Sequence, residues 1–201
     1  MTIKRIVNLF YTSNTYVLSC EDCSYVWLVD CGDYSKVKDI LGDRYVQGVL
    51  ITHTHADHIY GLTQLLSDFP DAVICTNDFG SIALGNSKLN VSKYHIEVPD
   101  LEIECDANVK LLDEGAVMRL FDGIDAKIFF TPGHDKSCLS YMVGNFVFTG
   151  DSYIPGERLL AIFPNSNKED AKNSLDRLIK LCDGRTVCPG HGVMSDEVIE
   201  K

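Results

Sequence analysis

The run His53-Thr54-His55-Ala56-Asp57-His58 places three imidazoles and one carboxylate within a single short segment. The chain has only six histidines in 201 residues, so half of them stand in this run. Imidazole and carboxylate are the ligands expected for zinc or a similar divalent metal. Packing that many imidazoles without partners is costly, which disfavours a purely structural role. The run therefore predicts a metal site.

The surroundings of this run indicate where in a fold it would lie. Residues 46–52 form an apolar stretch that predicts a buried strand, and residues 61–66 predict a helix. A polar loop that follows a strand at a sheet edge is where α/β proteins place their chemistry. Because alternate side chains of an extended segment point to the same side, His53 and His55 can share one metal.

Three further side chains stand at junctions between a predicted strand and a loop. His134 follows a Thr-Pro-Gly turn, Asp151 follows Thr-Gly at a strand end, and His191 follows Pro-Gly after the last strand. Strand ends can meet at one sheet edge, so we expect these side chains to converge with the histidine run. The expected metal ligands are His53, His55, Asp57, His58, His134, Asp151 and His191.

The length and composition of the chain limit the classes of protein to which it can belong. The length of 201 residues and the hydrophobic content of 45% predict one domain, residues 1–201, with a sizeable core. A net charge of −11 without clustered lysines or arginines makes nucleic acid an unexpected partner. There is no apolar run of the roughly 20 residues that a membrane span needs, and no signal-peptide core, so we expect a cytoplasmic protein. The eight cysteines are then expected as free thiols, with Cys20 and Cys23 in a hairpin turn and a second metal site at this pair as the alternative.

The order of predicted elements is strands then helix, twice over. This order favours an α/β fold of two stacked sheets with helices outside. Asn77 is expected to cap one helix, and residues 167–170 to begin another. Residues 85–108 show no clean period and are expected to form a long loop with a strand inside it.

Taken together and in this order, the motifs resemble those of the metallo-β-lactamase superfamily, and within it the glyoxalase II-type hydrolases. The similarity runs from residue 14 to His191. It implies an αββα sandwich of two mixed β-sheets flanked by helices. It also implies that His53, His55 and His134 bind a first metal, that Asp57, His58 and His191 bind a second, that Asp151 bridges them, and that Asp30 supports the histidine loop.

The resemblance implies a dinuclear hydrolase, with zinc as the first choice of metal and iron or manganese as alternatives. Two close metals lower the pKa of a shared water, and the bridging hydroxide is then the nucleophile. The expected reaction is hydrolysis of an ester-like bond in a small molecule, with a thioester first and a lactone or phosphoester as alternatives. Asp57 and Asp151 are expected to serve catalysis as metal ligands. The protein is expected to be a monomer or a homodimer, without a membrane partner or an organic cofactor.

Several alternatives stay open at the level of sequence. A mononuclear iron enzyme that resembles persulfide dioxygenases would keep the same skeleton, and a non-catalytic metal-binding module is a third class. Tyr153 is a candidate for hydrogen bonding a substrate oxyanion, or else an aromatic that packs over the site loop. His95 is expected at the surface, with a substrate contact as the alternative. Lys136 and Ser137 are expected to be exposed loop residues, with lining of the substrate pocket as the alternative.

Overall fold

A computed structural model describes residues 1–196, apart from the side chain of Asp106, and the last residues of the predicted domain lie outside this range. The first half of the chain contains β1 (Thr2–Val7), β2 (Asn14–Ser19), β3 (Tyr25–Val29), α1 (Tyr34–Leu41), β4 (Tyr45–Leu50), α2 (Ala56–Ile59), α3 (Leu62–Asp68), β5 (Val73–Thr76) and α4 (Asp78–Leu84). The second half contains β6 (Val109–Leu111), β7 (Val117–Phe121), β8 (Ile124–Phe130), β9 (Leu139–Val143), β10 (Phe146–Gly150), α5 (Lys168–Cys182) and β11 (Thr186–Pro189).

The strands form two sheets. The first sheet has the order β1-β2-β3-β4-β5-β6, and the second has the order β11-β10-β9-β8-β7. Each sheet is mixed, because β3 to β6 pair in parallel beside antiparallel β1 and β2, and β11 pairs in parallel with β10 beside an antiparallel meander. The two mixed sheets flanked by helices confirm the predicted αββα sandwich.

Three hydrophobic cores separate the layers. On β3, Val26 and Leu28 face the helices α1 and α3, while Trp27 and Val29 face the second sheet. This alternation follows from the two-residue period of a strand that is buried on both faces. The Trp27 indole N–H also donates to the carbonyl of Leu120 at 2.9 Å, which joins the two sheets.

Helix α5 covers the outer face of the second sheet. Its buried residues are Ala171, Ser174, Leu178 and Cys182, whose spacing of three or four residues marks one helical face. The side chain of Asn167 accepts hydrogen bonds from the backbone N–H groups of Glu169 and Asp170, as expected for an N-cap. The cap residue also donates its own N–H to the carbonyl of Gly133, next to the predicted ligand His134.

Two loop predictions have different outcomes. Cys20 and Cys23 lie in the turn between the antiparallel strands β2 and β3, as predicted, and all eight cysteines are free. The strand expected within residues 85–108 is wrong, because this segment contains short 3-10 turns at Ser92–Tyr94 and Asp106–Asn108 instead. Buried Asn90 donates to the carbonyls of Ala83 and Leu101, so a side chain satisfies the backbone that a strand would have paired.

Within residues 1–196, no helix is both long enough and apolar enough to cross a membrane.

The N-cap of α5 can be tested by substitution. Asn167→Ala removes the acceptor for two backbone N–H groups and should lower the free energy of unfolding by about 1 kcal/mol. Asn173→Ala, at an exposed position within the same helix, should leave the free energy of unfolding unchanged or slightly higher. Urea denaturation followed by circular dichroism measures both values. An equal loss in the two variants would contradict the capping role.

Candidate metal centre

The predicted ligands come together where strands of both sheets end. The histidine run follows β4, Asp151 follows β10, and His191 follows β11. Backbone hydrogen bonds join the strand ends at this edge, because Leu139 N–H at the start of β9 donates to the carbonyl of Thr52, next to the histidine run, at 2.7 Å. Gly190 N–H likewise donates to the carbonyl of Gly150 at 2.8 Å. The sheet edges therefore place residues that are distant in sequence side by side.

A first group of ligand atoms belongs to His53, His55 and His134, which are all buried. One nitrogen from each ring lies within 4.8 Å of the others. Among them, His134 Nε2 and His55 Nδ1 are 3.0 Å apart. Three converging imidazoles are the donor set of a metal site that keeps an open position.

A second group belongs to Asp57, His58 and His191. The Oδ2 atom of Asp57 lies 3.3 Å from His58 Nε2 and 3.3 Å from His191 Nε2. Asp57 and His58 stand on the short helix α2, which begins directly after His55. The change from extended chain to helix alters the side-chain direction after His55, so Asp57 and His58 reach a neighbouring position, with the His58 ring 4.2 Å from that of His53.

Asp151 lies between the two groups. Its Oδ1 is 3.6 Å from His58 Nε2, and its Oδ2 is 3.4 Å from His191 Nε2 in the second group. The same Oδ2 is 3.6 Å from His134 Nε2 in the first group. One carboxylate thus reaches ligands of both groups, which is the arrangement expected of a bridging residue.

In most of these rings, the nitrogen that points away from the ligand cluster, here called the outer nitrogen, has a fixed partner. Asp30 Oδ2 lies 2.9 Å from His58 Nδ1, and both oxygens of Asp30 also accept hydrogen bonds from Thr52 at 2.7 Å. Backbone carbonyls serve two other rings, with Leu160 O at 2.7 Å from His134 Nδ1 and Tyr11 O at 3.0 Å from His191 Nδ1. Such contacts fix the ring and direct its other nitrogen inward.

The inward-facing atoms fit a bound metal. Among the residues that the structure describes, His53 Nε2, His58 Nε2 and Asp151 Oδ1 are buried and have no hydrogen-bond partner. Buried polar atoms are rarely left unpaired, so each such atom needs an explanation. A cation at the centre would satisfy them, and the donor set suits zinc, iron or manganese.

Comparison with known proteins identifies the family. The family model of the metallo-beta-lactamase superfamily matches residues 9–191 of the chain. The chain belongs to this superfamily. The match spans every predicted ligand and most of both sheets, in agreement with the αββα sandwich.

Individual members of the superfamily are similar to the chain at low identity. A hydroxyacylglutathione hydrolase from Shewanella pealeana is 27% identical over 172 residues, which cover 85% of this chain and 57% of that enzyme. The chain therefore spans little more than half the length of that relative. Among solved structures, BLEG-1 B3 metallo-beta-lactamase aligns with a TM-score of 0.86 at 21% identity, covering 96% of this chain and 93% of that one. The protein TTHA1623 in a di-iron-bound form aligns with a TM-score of 0.78 at 23% identity, with the same two coverages.

In the first ligand group, the surroundings favour the neutral form of the histidine rings. Burial and the neighbouring imidazoles hold the pKa of His53 well below its ordinary value. Burial also lowers the pKa of His134, although the Asp151 carboxylate opposes it. Neutral imidazole is the protonation state that binds a metal, so these rings are ready to act as ligands.

The second group combines ionised carboxylates with protonated rings. Burial opposes ionisation of Asp151, but its hydrogen bond with His191 and the charge of His58 outweigh burial and lower its pKa to about 2. Burial likewise opposes protonation of His191, yet hydrogen bonds to Asp151 and Asp57 raise its pKa to about 9. Without a metal, the protons on the histidine rings supply the positive charge between these carboxylates. A metal that binds here would replace those protons.

Aromatic and apolar side chains form the rim of the site. The Phe163 ring lies 4.7 Å from the ring of His55 and 5.3 Å from that of His134, both in edge contact. Leu160 and Ile162, on the same loop, expose more than half of their surface. A substrate at the first group would therefore meet apolar side chains.

On the other side, Tyr11 Oη lies 3.0 Å from His95 Nδ1 at the surface, next to the second group. His95 is thus a half-buried residue at the surface beside the second group, and its contact with a substrate stays a prediction.

Tyr153 does not take part in the ligand cluster. Its side chain packs against the cluster of Val147, Cys182 and Val187 under helix α5, on the outer face of the second sheet. Its carbonyl accepts a hydrogen bond from the Thr149 hydroxyl at 2.6 Å. This placement favours the packing alternative, and the catalytic role of Tyr153 stays a prediction without structural support.

Sequence reasoning missed Asp135 and misjudged Ser137. Asp135 is fully buried beside the first group, 3.7 Å from His55 Nε2. Ser137, expected to be exposed, is also buried, because its hydroxyl bonds Asp135 and the backbone N–H of Thr54. The sequence did contain a signal for Asp135, namely a carboxylate residue directly after the predicted ligand His134. Lys136 is exposed as predicted, with its ammonium over the ring of Phe79 at 5.7 Å.

Metal binding at this cluster should stabilise the fold. Zinc added to the metal-free protein at a free concentration of 100 times its dissociation constant should add about 2.7 kcal/mol to the free energy of unfolding for each site that it fills. His53→Ala should lose the part of this gain that the first group contributes, because it removes a ligand of that group. His95→Ala should keep the gain, since His95 belongs to neither group. Thermal unfolding with and without zinc measures the effect, and an equal shift in His53→Ala and wild type would place the metal elsewhere.

Proposed function

We propose that the protein is a metal-dependent hydrolase that uses two divalent ions, with zinc as the first choice, to cleave an ester-like bond in a small molecule. The observation that carries this proposal is the position of Asp151. Its oxygens lie within 3.6 Å of His58 and His191 in one group and of His134 in the other. A carboxylate that reaches two complete ligand groups supports a dinuclear site rather than a mononuclear one.

When bound, two such ions supply an activated water and polarise the oxygen of the scissile group. The residues of the chain hold the geometry for that chemistry. His53, His55 and His134 would hold one ion, and Asp57, His58 and His191 would hold the other. Asp57 acts as a ligand rather than a free base, because its Oδ2 already lies 3.3 Å from the inward nitrogens of two histidines.

A side-chain nucleophile is not needed, and the nearest thiols are poor candidates. Cys31 follows Asp30, and Cys138 contacts the backbone N–H of Asp135 through its sulfur at 3.3 Å. Burial raises the pKa of both thiols, with the carboxylates of Asp30 and Asp135 adding to the effect. A thiol that stays protonated is a weak nucleophile, which leaves water as the attacking group.

The substrate class follows from the rim and from the relatives. The exposed apolar side chains of Leu160 and Ile162 suit an acyl group better than a polyanion. The net charge of −11 also disfavours a nucleic-acid substrate. Several relatives bear the name hydroxyacylglutathione hydrolase, which supports a thioester as first choice and a lactone or phosphoester after it.

Turnover of small acyl thioesters, lactones and phosphodiesters by the zinc-loaded protein tests this function. Asp151→Ala and His58→Ala should each lower kcat/KM by more than about a hundredfold and reduce bound zinc, because metal activation supplies several kcal/mol. Asp122→Asn should retain turnover, since Asp122 is fully exposed in the β7–β8 turn.

Two results would contradict the proposal. One iron per chain with persulfide-dependent oxygen uptake would support a dioxygenase. Two bound metals without turnover of any of the three bond types would support a binding module.

A further inference from the structure

In each ligand group, one histidine turns its outer nitrogen toward a buried carboxylate. In the second group, His58 Nδ1 lies 2.9 Å from Asp30 Oδ2. In the first group, His55 Nε2 lies 3.7 Å from Asp135 Oδ2, and both residues are buried. The family ligand motifs do not include Asp135, so its role needs a separate account.

His55 and Asp135 are each other's available partner. Within residues 1–196, His55 Nε2 and Asp135 Oδ2 are both buried and have no hydrogen bond to any group. Their separation is slightly longer than a hydrogen bond, and a small shift of either side chain would form one. Two unpaired buried atoms that face each other can satisfy each other through one hydrogen bond.

The ring of His55 has an orientation that makes this contact important. Its Nδ1 faces His134 Nε2 at 3.0 Å, whereas His53 and His58 direct Nε2 inward. A neutral imidazole carries its proton on one nitrogen only, and the other nitrogen is the acceptor or metal ligand. His55 can therefore donate a lone pair from Nδ1 only when its proton is on Nε2, facing Asp135.

The carboxylate of Asp135 is itself held in place. Its Oδ1 accepts hydrogen bonds from Ser137, from the backbone N–H at 2.8 Å and from the hydroxyl at 2.6 Å. The Ser137 hydroxyl also contacts the backbone N–H of Thr54 at 3.0 Å, within the histidine run. This network leaves Oδ2 free and directed at the ring of His55.

We propose that Asp135 is a positioning residue that accepts the Nε2 proton of His55 and thereby keeps Nδ1 free to bind the first metal. The proposal rests on the proposed function only in that the first group holds a metal. It goes beyond that function because it assigns the tautomer of one ligand to a residue outside the ligand set.

An asparagine at this position gives a sharp test. The two Ser137 donors would bind the amide oxygen of Asp135→Asn, so its NH₂ group would face His55 Nε2. A donor there favours the tautomer with the proton on Nδ1, which cannot bind the metal. Nitrogen-15 NMR of histidine-labelled, metal-free protein should show His55 protonated on Nε2 in wild type and on Nδ1 in Asp135→Asn. Asp30→Asn is the matched control, and it should alter the signals of His58 but not those of His55.

Metal affinity provides a second readout. In a His191→Ala background, which lacks a ligand of the second group, zinc competition with a chromophoric chelator reports on the first group. Asp135→Asn should weaken zinc binding by about 10- to 100-fold, as loss of an outer partner of a ligating histidine does. Asp135→Ala, which removes the acceptor without adding a donor, should weaken it less, and Asp122→Asn should leave it unchanged.

An unchanged His55 tautomer together with wild-type zinc affinity in Asp135→Asn would overturn the proposal. If Asp135→Asn fails to fold, as judged by far-UV circular dichroism, the same pair of measurements on Asp135→Ala decides. Absence of hydrolysis by the wild-type protein would refute the proposed function while leaving the tautomer and affinity results intact. The two failures are therefore distinguishable.

Discussion

The burial of unpaired imidazole nitrogens at the end of the two sheets is the constraint on which the rest of the structure depends. His53, His55 and His58 are buried, and the Nε2 atom of each ring lacks a hydrogen-bond partner among the described residues. Transferring polar groups from water without replacement hydrogen bonds is unfavourable. The fold tolerates this arrangement because a cation can satisfy the inward atoms together, which links folding of this region to metal binding.

The scaffold serves this cluster by joining the two sheets where the ligands lie. The hydroxyl of buried Tyr141, on the second sheet, donates to the carbonyl of Ile51 at 2.6 Å, two residues before the histidine run. The start of α5 is fastened to the loop of His134 in a similar way, because the Ser166 hydroxyl donates to the His134 carbonyl at 2.6 Å. Rigid elements with such outer hydrogen bonds hold ligands more precisely than loops alone.

The sequence predicted most of the layered fold and named the clustered ligands, because metal-binding side chains at strand ends leave a readable pattern. Other parts of the site leave no such pattern. The carbonyl of Tyr11, which contacts His191, is a backbone group that any residue would supply. The direction of the Tyr153 side chain leaves none either, because nothing in the residues around Asp151 indicates that it packs on the cluster under helix α5. Asp135 escaped notice because its partner, His55, lies on a different strand end.

Anomalous diffraction from crystals of the zinc-loaded protein would reveal whether the centre is dinuclear. We expect two zinc peaks, one among His53, His55 and His134 and the other among Asp57, His58 and His191, with Asp151 touching both. A single peak, or a peak that does not contact Asp151, would contradict the dinuclear centre.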